Sequence, residues 1–332
     1  MLSRVKKILL HLASLALAVG ILALLFQRQD WGNLLKRLSG ARVSALGAAA
    51  AISVAYWLVK SARWRWTVAI EGQRIRLRRA CISMLAGLGI GLLTPFRGGE
   101  VVRPMFIAPG ARLRLAGWVV IERLFDLSAV LTLSVAGLVY VIAAGVPLSD
   151  GFVLSSRLLW VCPALIALAL APPLLLHYRP RRLWVLMARL LPKKARELAH
   201  VHLSWRQFGV FLATSLIGEM LSVLAVYFCL LAFGYVEHAG GVPNPDASGL
   251  GSPLAVALVP VVMLHNLLPA TPGGFGVREG FAVLVFGLFG FAGEMVLAGY
   301  LTDAVIVLVI PGAVGIAGAW TAGVIREMRK SA

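Results

Sequence analysis

A short list of charged side chains stands inside stretches otherwise apolar enough for a lipid bilayer: Arg97, Glu100, Arg103, Glu122, Arg123, Asp126, Glu219, Arg278, Glu279 and Asp303. A charge at membrane depth is costly, so such residues either pair with one another or serve the passage of a charged solute. Arginine is always charged, and its planar fork of donors matches carboxylate or phosphate oxygens. Glu100, Glu122, Glu219 and Asp303 are the groups through which a proton or ion gradient would act. Arg123 and Asp126, three apart on one helical face, are expected to satisfy each other, leaving Glu122 for Arg103 or Arg278. No His, Cys, Asp or Glu spacing suits a metal, and His265 beside Asn266 reads as a hydrogen-bonded packing residue. No catalytic residue, metal or cofactor is expected.

Two distant stretches repeat one pattern. Gly91 to Arg103 reads GLLTPFRGGEVVR, and Asn266 to Glu279 reads NLLPATPGGFGVRE. Each sets an apolar run against Thr-Pro, then paired glycines, then Val-Arg with a glutamate close by. Proline removes a backbone donor and restricts the residue before it, so helices should stop at Thr94-Pro95 and Thr271-Pro272. Gly98 and Gly99, like Gly273, Gly274 and Gly276, then permit left-handed or extended backbone. Irregular backbone in a membrane is tolerated where protein or a watery cavity surrounds it. Paired interruptions in two halves of a chain point to a transport site. A helix restarting after each set of glycines would turn free N–H groups toward the tip. With Arg97, Arg103 and Arg278, these amides would suit a phosphate.

The elements that must position these groups follow from hydropathy and charge. The 332 residues are 60% hydrophobic with a mean hydropathy of +0.87, which excludes a soluble domain. The net charge of +18 sits mainly at the ends of apolar runs, a topology signal rather than a nucleic-acid footprint. Spans are expected at Ile8–Phe26, Val43–Val59, Leu115–Ala144, Ser155–Leu176 (ended by Pro172-Pro173), Phe208–Phe233 and Met295–Val324. Arg4, Lys6 and Lys7 precede the first, which lacks a cleavage site and reads as a retained helix. Gln27 to Arg42 suits an interfacial amphipathic helix. Lys60, Arg63, Arg65, Arg74, Arg76, Arg78 and Arg79 read as a positive-inside cluster with Trp57, Trp64 and Trp66 in the interfacial belt. The basic stretch from His177 to Gln207 is expected along the inner surface, and Gly234 to Ser252, without Lys or Arg, outside. Gly87, Gly89 and Gly91 suggest a close-packing face. Cys81, Cys162 and Cys229 read as structural thiols.

The expected fold is an all-α integral membrane protein of about six transmembrane helices plus two oppositely oriented re-entrant hairpins, 80–108 and 253–290. Residues 1–332 would form a single unit with halves 1–157 and 158–332 related as an inverted repeat. On Thr94 to Arg103, the Glu-Arg-Leu-Phe-Asp run Glu122 to Asp126, and Leu268 to Gly280, the chain resembles the flippase-like family of the lysylphosphatidylglycerol synthase transmembrane region. The resemblance implies movement of a lipid between leaflets, aminoacyl phosphatidylglycerol or a polyprenyl-linked sugar among the candidates. Without a counterpart of the aminoacyl-transferase domain of two-part synthases in these residues, the chain is not expected to make the lipid itself. Asp303 stands where that family often has a basic residue. The partners implied are an anionic lipid substrate and the membrane, with no nucleic acid; a homo-oligomer and a separate lipid-synthesising enzyme are further partners to look for. The setting implied is a bacterial-type cytoplasmic membrane, with both termini inside. A small-solute secondary transporter and a membrane-embedded lipid-phosphate transferase are the competing readings.

Overall fold

A computed structural model describes residues 2–27, 32, 38–107, 112–178, 203–233, 253–267 and 271–321. The apolar runs form α1 (Leu2–Gln27), α2 (Val43–Ile70), α3 (Leu77–Leu93), α4 (Arg112–Ala143), α5 (Cys162–Tyr178), α6 (Trp205–Ala232), α7 (Pro253–Met263) and α8 (Val277–Gly287). They continue as α9 (Gly293–Asp303), a π-helical segment Ala304–Val309 and α10 (Ile310–Thr321). Among the described residues, five helices are long and apolar enough to cross a membrane: Val43–Ile70, Arg114–Ala143, Ser156–Tyr178, Trp205–Ala232 and Gly293–Thr321. The protein is therefore an all-α, multi-pass membrane protein. The remaining expected span, Ile8–Phe26, falls within α1, part of whose side chains lie outside the described residues.

Several expectations need correction. The second span does not end at Val59: α2 runs on for 28 residues to Ile70, about 42 Å at 1.5 Å per residue. Lys60 and Arg63 are thus helix-interior positions rather than a surface cluster. Trp64 is no belt residue either; it is fully buried and donates from Nε1 to Ser83 Oγ at 3.2 Å. Pro172-Pro173 does not end its helix, which continues to Tyr178. There Leu176 is buried among Trp118, Ile121 and Phe211, and His177 Nδ1 donates to the Leu203 carbonyl at 2.8 Å. Tertiary packing outweighs two missing backbone donors. The expected surface segment His177–Gln207 lies largely outside the described residues, as do most of Gln27–Arg42, the expected outer segment Gly234–Ser252 and the basic C-terminus.

Both Thr-Pro pairs interrupt helices. α3 stops at Leu93 with Thr94 extended (φ −116°, ψ 137°), and a 3-10 helix, Pro95–Phe106, follows. α7 passes into a 3-10 turn, Leu264–Leu267. Thr271 is again extended (φ −116°, ψ 154°), and a Pro272–Gly274 turn leads to α8. At 17 residues α3 is about 25 Å long, short of a hydrocarbon core of about 30 Å.

The packing is reciprocal. α2 lies against α6. The span following the first break, α4, packs on α7 of the second, while the end of the last span, α10, packs on α3 of the first. Both crossings depend on a glycine. A Cβ at Gly137 would collide with the Ala257 carbonyl oxygen, and one at Gly315 with the Leu85–Ala86 backbone. In an apolar solvent such close backbone approach is what holds helices together. The glycines of α3 do not form one face: Gly89 lies against Gly312 and Ile316 of α10, whereas Gly87 and Gly91 lie against Arg103 and Gly99 of the Pro95–Phe106 helix. The largest apolar core forms where α4, α6, α7, α8 and α9 meet, around Val130, Val226, Leu258, Phe286 and Tyr300.

Candidate functional site

Tyr56, Lys60, Arg63 and Thr67 recur at helical spacing and form one polar stripe on α2. Opposite it, α4 presents Glu122 and Asp126, and α6 presents Ser215 and Glu219. These side chains build a chain of alternating charges. Glu219 Oε1 accepts from Lys60 Nζ at 2.8 Å, and Lys60 also lies 2.8 Å from Asp126 Oδ2. Asp126 takes a two-pronged bond from Arg63, at 2.8 and 3.1 Å. Arg63 stands 3.6 Å from Glu122, and Glu122 accepts from Arg103 at 3.1 Å. Arg103 donates to Glu100 at 2.7 Å, and Glu100 is bonded in turn by Arg123. Four cations alternate with four carboxylates, so this chain carries no net charge.

Neutral groups complete it. Ser215 Oγ donates to Asp126 Oδ1 at 2.7 Å, and Thr67 Oγ1 to Glu122 Oε1 at 2.9 Å. Lys60 and Arg103 also lie over the rings of Tyr56 and Trp64. Removing several charges from water is repaid only by this degree of mutual satisfaction. The geometry overturns one expectation. Arg123 and Asp126 do not pair, because Lys60 and Arg63, both 5% exposed or less at their side chains, claim Asp126 from the facing helix. Glu122 takes Arg103 rather than Arg278.

The second break carries a smaller group. Arg278 Nη1 donates to Asp303 Oδ2 at 2.9 Å, Nη2 to the Tyr300 carbonyl at 2.5 Å, and Nε and Nη2 to Glu279 Oε1 at 3.1 and 3.0 Å. Glu279 Oε2 accepts from the Gly276 N–H at 2.7 Å. This corrects the picture of an open helix N-terminus at that tip, since Glu279 caps its own helix.

The two breaks meet. The Pro272–Gly274 turn packs on α3 and on the Pro95–Phe106 helix, next to Leu92. Between the charge chain and the Arg278 group lies a cavity of about 70 Å³, bordered by Arg123, Asp126, Glu219, Asn266, Arg278 and Asp303. At about 30 Å³ of liquid volume per water, that is room for roughly two waters. Glu100, Arg103 and Glu122 connect to it through the chain, and Glu279 through Arg278. The side chain of Arg97 lies outside the described residues. Lys60 and Arg63 were missed in the sequence. The α2 stripe was their signal, together with carboxylates on α4 and α6 that lacked enough cations.

Such a bundle, with its charges gathered inside and irregular helices around a small polar cavity, defines a polytopic membrane protein with a hydrophilic interior. Among the described residues, no group of three or more His, Cys, Asp or Glu is placed to hold a metal ion. Residues 11–315 match the family described as the lysylphosphatidylglycerol synthase TM region, and the chain belongs to that family. Membership supports a role in lipid handling or transport. A comparison with curated proteins gives no match.

Proposed function

We propose that the protein is a lipid flippase or scramblase that moves a phosphate-bearing headgroup between leaflets past the two breaks, while the acyl chains stay in the bilayer. The observation that carries this reading is the charge chain running from buried Glu219 to half-buried Arg123, joined by the cavity to Arg278. A polar headgroup crossing a bilayer needs compensating groups along its way. The arginines supply them, provided their carboxylate partners yield in turn; alternating pairs allow this because Lys60, Arg63, Arg103 and Arg278 each face two carboxylates. The reciprocal packing of α4 on α7 and of α10 on α3 supports two re-entrant hairpins in an inverted repeat, with α2 and α6 as its matched pair. The basic N-terminal and C-terminal segments favour a cytoplasmic-membrane protein with both ends inside.

The test is reconstitution into liposomes with headgroup-labelled phosphatidylglycerol and a membrane-impermeant quencher. Quenching of inner-leaflet label beyond that of protein-free vesicles is expected. Quenching that stops at the outer leaflet, with uptake of a soluble solute instead, would favour a secondary transporter.

A further inference from the structure

We propose that Asp303 binds a proton, and that its neutral form loosens Arg278 for an anionic ligand; the second half of this statement rests on the headgroup path proposed above. Asp303 is 3% exposed. Its Oδ2 holds Arg278, but Oδ1 is buried without a hydrogen-bond partner among the described residues, and the residue borders the cavity. A carboxylate oxygen left unmatched in low dielectric is strongly penalised, and a bound proton removes that penalty.

Charge balance points to the same residue. The eight-membered chain is neutral, whereas Arg278, Glu279 and Asp303 leave one negative charge in excess among the described residues. Glu279 does not hold that excess, because one oxygen takes two Arg278 nitrogens and the other the Gly276 N–H. The groups near Asp303 come from every packed element. Tyr300 lies on its own helix, its buried hydroxyl also without a partner among the described residues. Arg278 and Glu279 come from α8, and Cys229 and Glu219 from α6. Across the cavity stand Arg123 and Asp126 of α4, Tyr56 of α2 and His265. His265 is the rival proton acceptor; its Nδ1 donates to the Val262 carbonyl at 2.9 Å.

The step is an addition. A proton joins Oδ1, the carboxylate becomes neutral, and the Arg278–Asp303 ion pair becomes a weaker hydrogen bond. If a singly charged phosphate headgroup arrives with that proton, the total charge of the site is unchanged. Headgroup movement should therefore fall as pH rises. The π-helical segment begins at the residue after Asp303, with Trp57 Nε1 and Ser53 Oγ donating to the Val307 and Ile306 carbonyls. Such segments mark places where a helix changes register.

Infrared titration of the purified full chain tests the proton directly, without any lipid substrate. A carboxylic-acid carbonyl band should appear on acidification, vanish in Asp303→Asn, and persist in Asp303→Glu and His265→Gln. A band unchanged in Asp303→Asn, or lost in His265→Gln, would overturn the assignment. In liposomes, the pH dependence of phosphatidylglycerol movement should be lost in Asp303→Asn; a dependence that survives there would overturn the link to Arg278. A band that behaves as expected in a protein that moves no lipid would uphold the proton site and sink the headgroup path instead.

Discussion

The two Thr-Pro breaks share letters and backbone angles but use them differently. At both, the threonine is extended with φ −116° and the preceding helix has ended. At the first, Thr94 Oγ1 accepts the Gly99 N–H at 3.0 Å and donates back to Ile90, so the hydroxyl splices the gap. At the second, Thr271 Oγ1 is buried without a hydrogen-bond partner among the described residues. The glycines diverge further. Gly98 and Gly99 sit within a 3-10 helix, and Gly99 abuts the backbone of Ile90 and Gly91, where no side chain would fit. Gly273, Gly274 and Gly276 instead adopt φ of 61°, 80° and 81°, which L side chains resist. Gly99 is needed for closeness alone, whereas the second break adds handedness to crowding, with a Cβ at Gly276 meeting the Ala18 carbonyl oxygen at 2.9 Å. Electrostatically, the first joins a balanced chain and the second keeps a negative excess. On the proposed reading, the first break exchanges partners within a balanced chain, whereas the second responds through the proton on Asp303.

The comparison can be broken most severely at the centre of the charge chain. Arg63→Met leaves Asp126 and Glu122 short of a cation and should lower stability by about 3–5 kcal/mol, read as loss of folded protein on heating in detergent. A small shift would mean that the chain does not hold the bundle together. Next come the glycines. Gly99→Ala should cost about 3 kcal/mol, because the obstacle is backbone, which yields little. Gly273→Ala should cost about 1–2 kcal/mol for a left-handed alanine. Melting temperatures in the reverse order would collapse the distinction between closeness and handedness. The smallest effect separates the threonines. Thr94→Val should lose about 1 kcal/mol with its hydrogen bonds, while Thr271→Val should be neutral or slightly stabilising.

Much of this was legible in the letters, for local reasons. Hydropathy marks the long helices because a bilayer demands it, and Thr-Pro marks helix ends because proline acts on its immediate neighbours. The partner of Asp126 was not legible. The i, i+3 rule describes a helix alone, and here a facing helix brings Lys60 and Arg63 within 2.8 Å. Those two residues were hidden by their own neighbourhood, since Arg65 and the basic residues up to Arg79 make Lys60 look like the start of an interfacial run. The different use of Gly99 and Gly273 was equally hidden, because one glycine answers to the backbone of α3 and the other to its own left-handed φ as well as to nearby side chains. Neither requirement changes the residue type.

The central claim is that arginine forks at the two breaks carry a phosphate headgroup through the protein. It is tested most directly by the initial rate of labelled phosphatidylglycerol movement in Arg103→Lys and Arg278→Lys liposomes, beside the unaltered protein. Lysine keeps the charge balance but not the planar fork, so the fold should survive. Each substitution is expected to slow movement by at least about tenfold, equivalent to about 1.4 kcal/mol in the barrier. Rates equal to that of the unaltered protein in both variants would contradict the account.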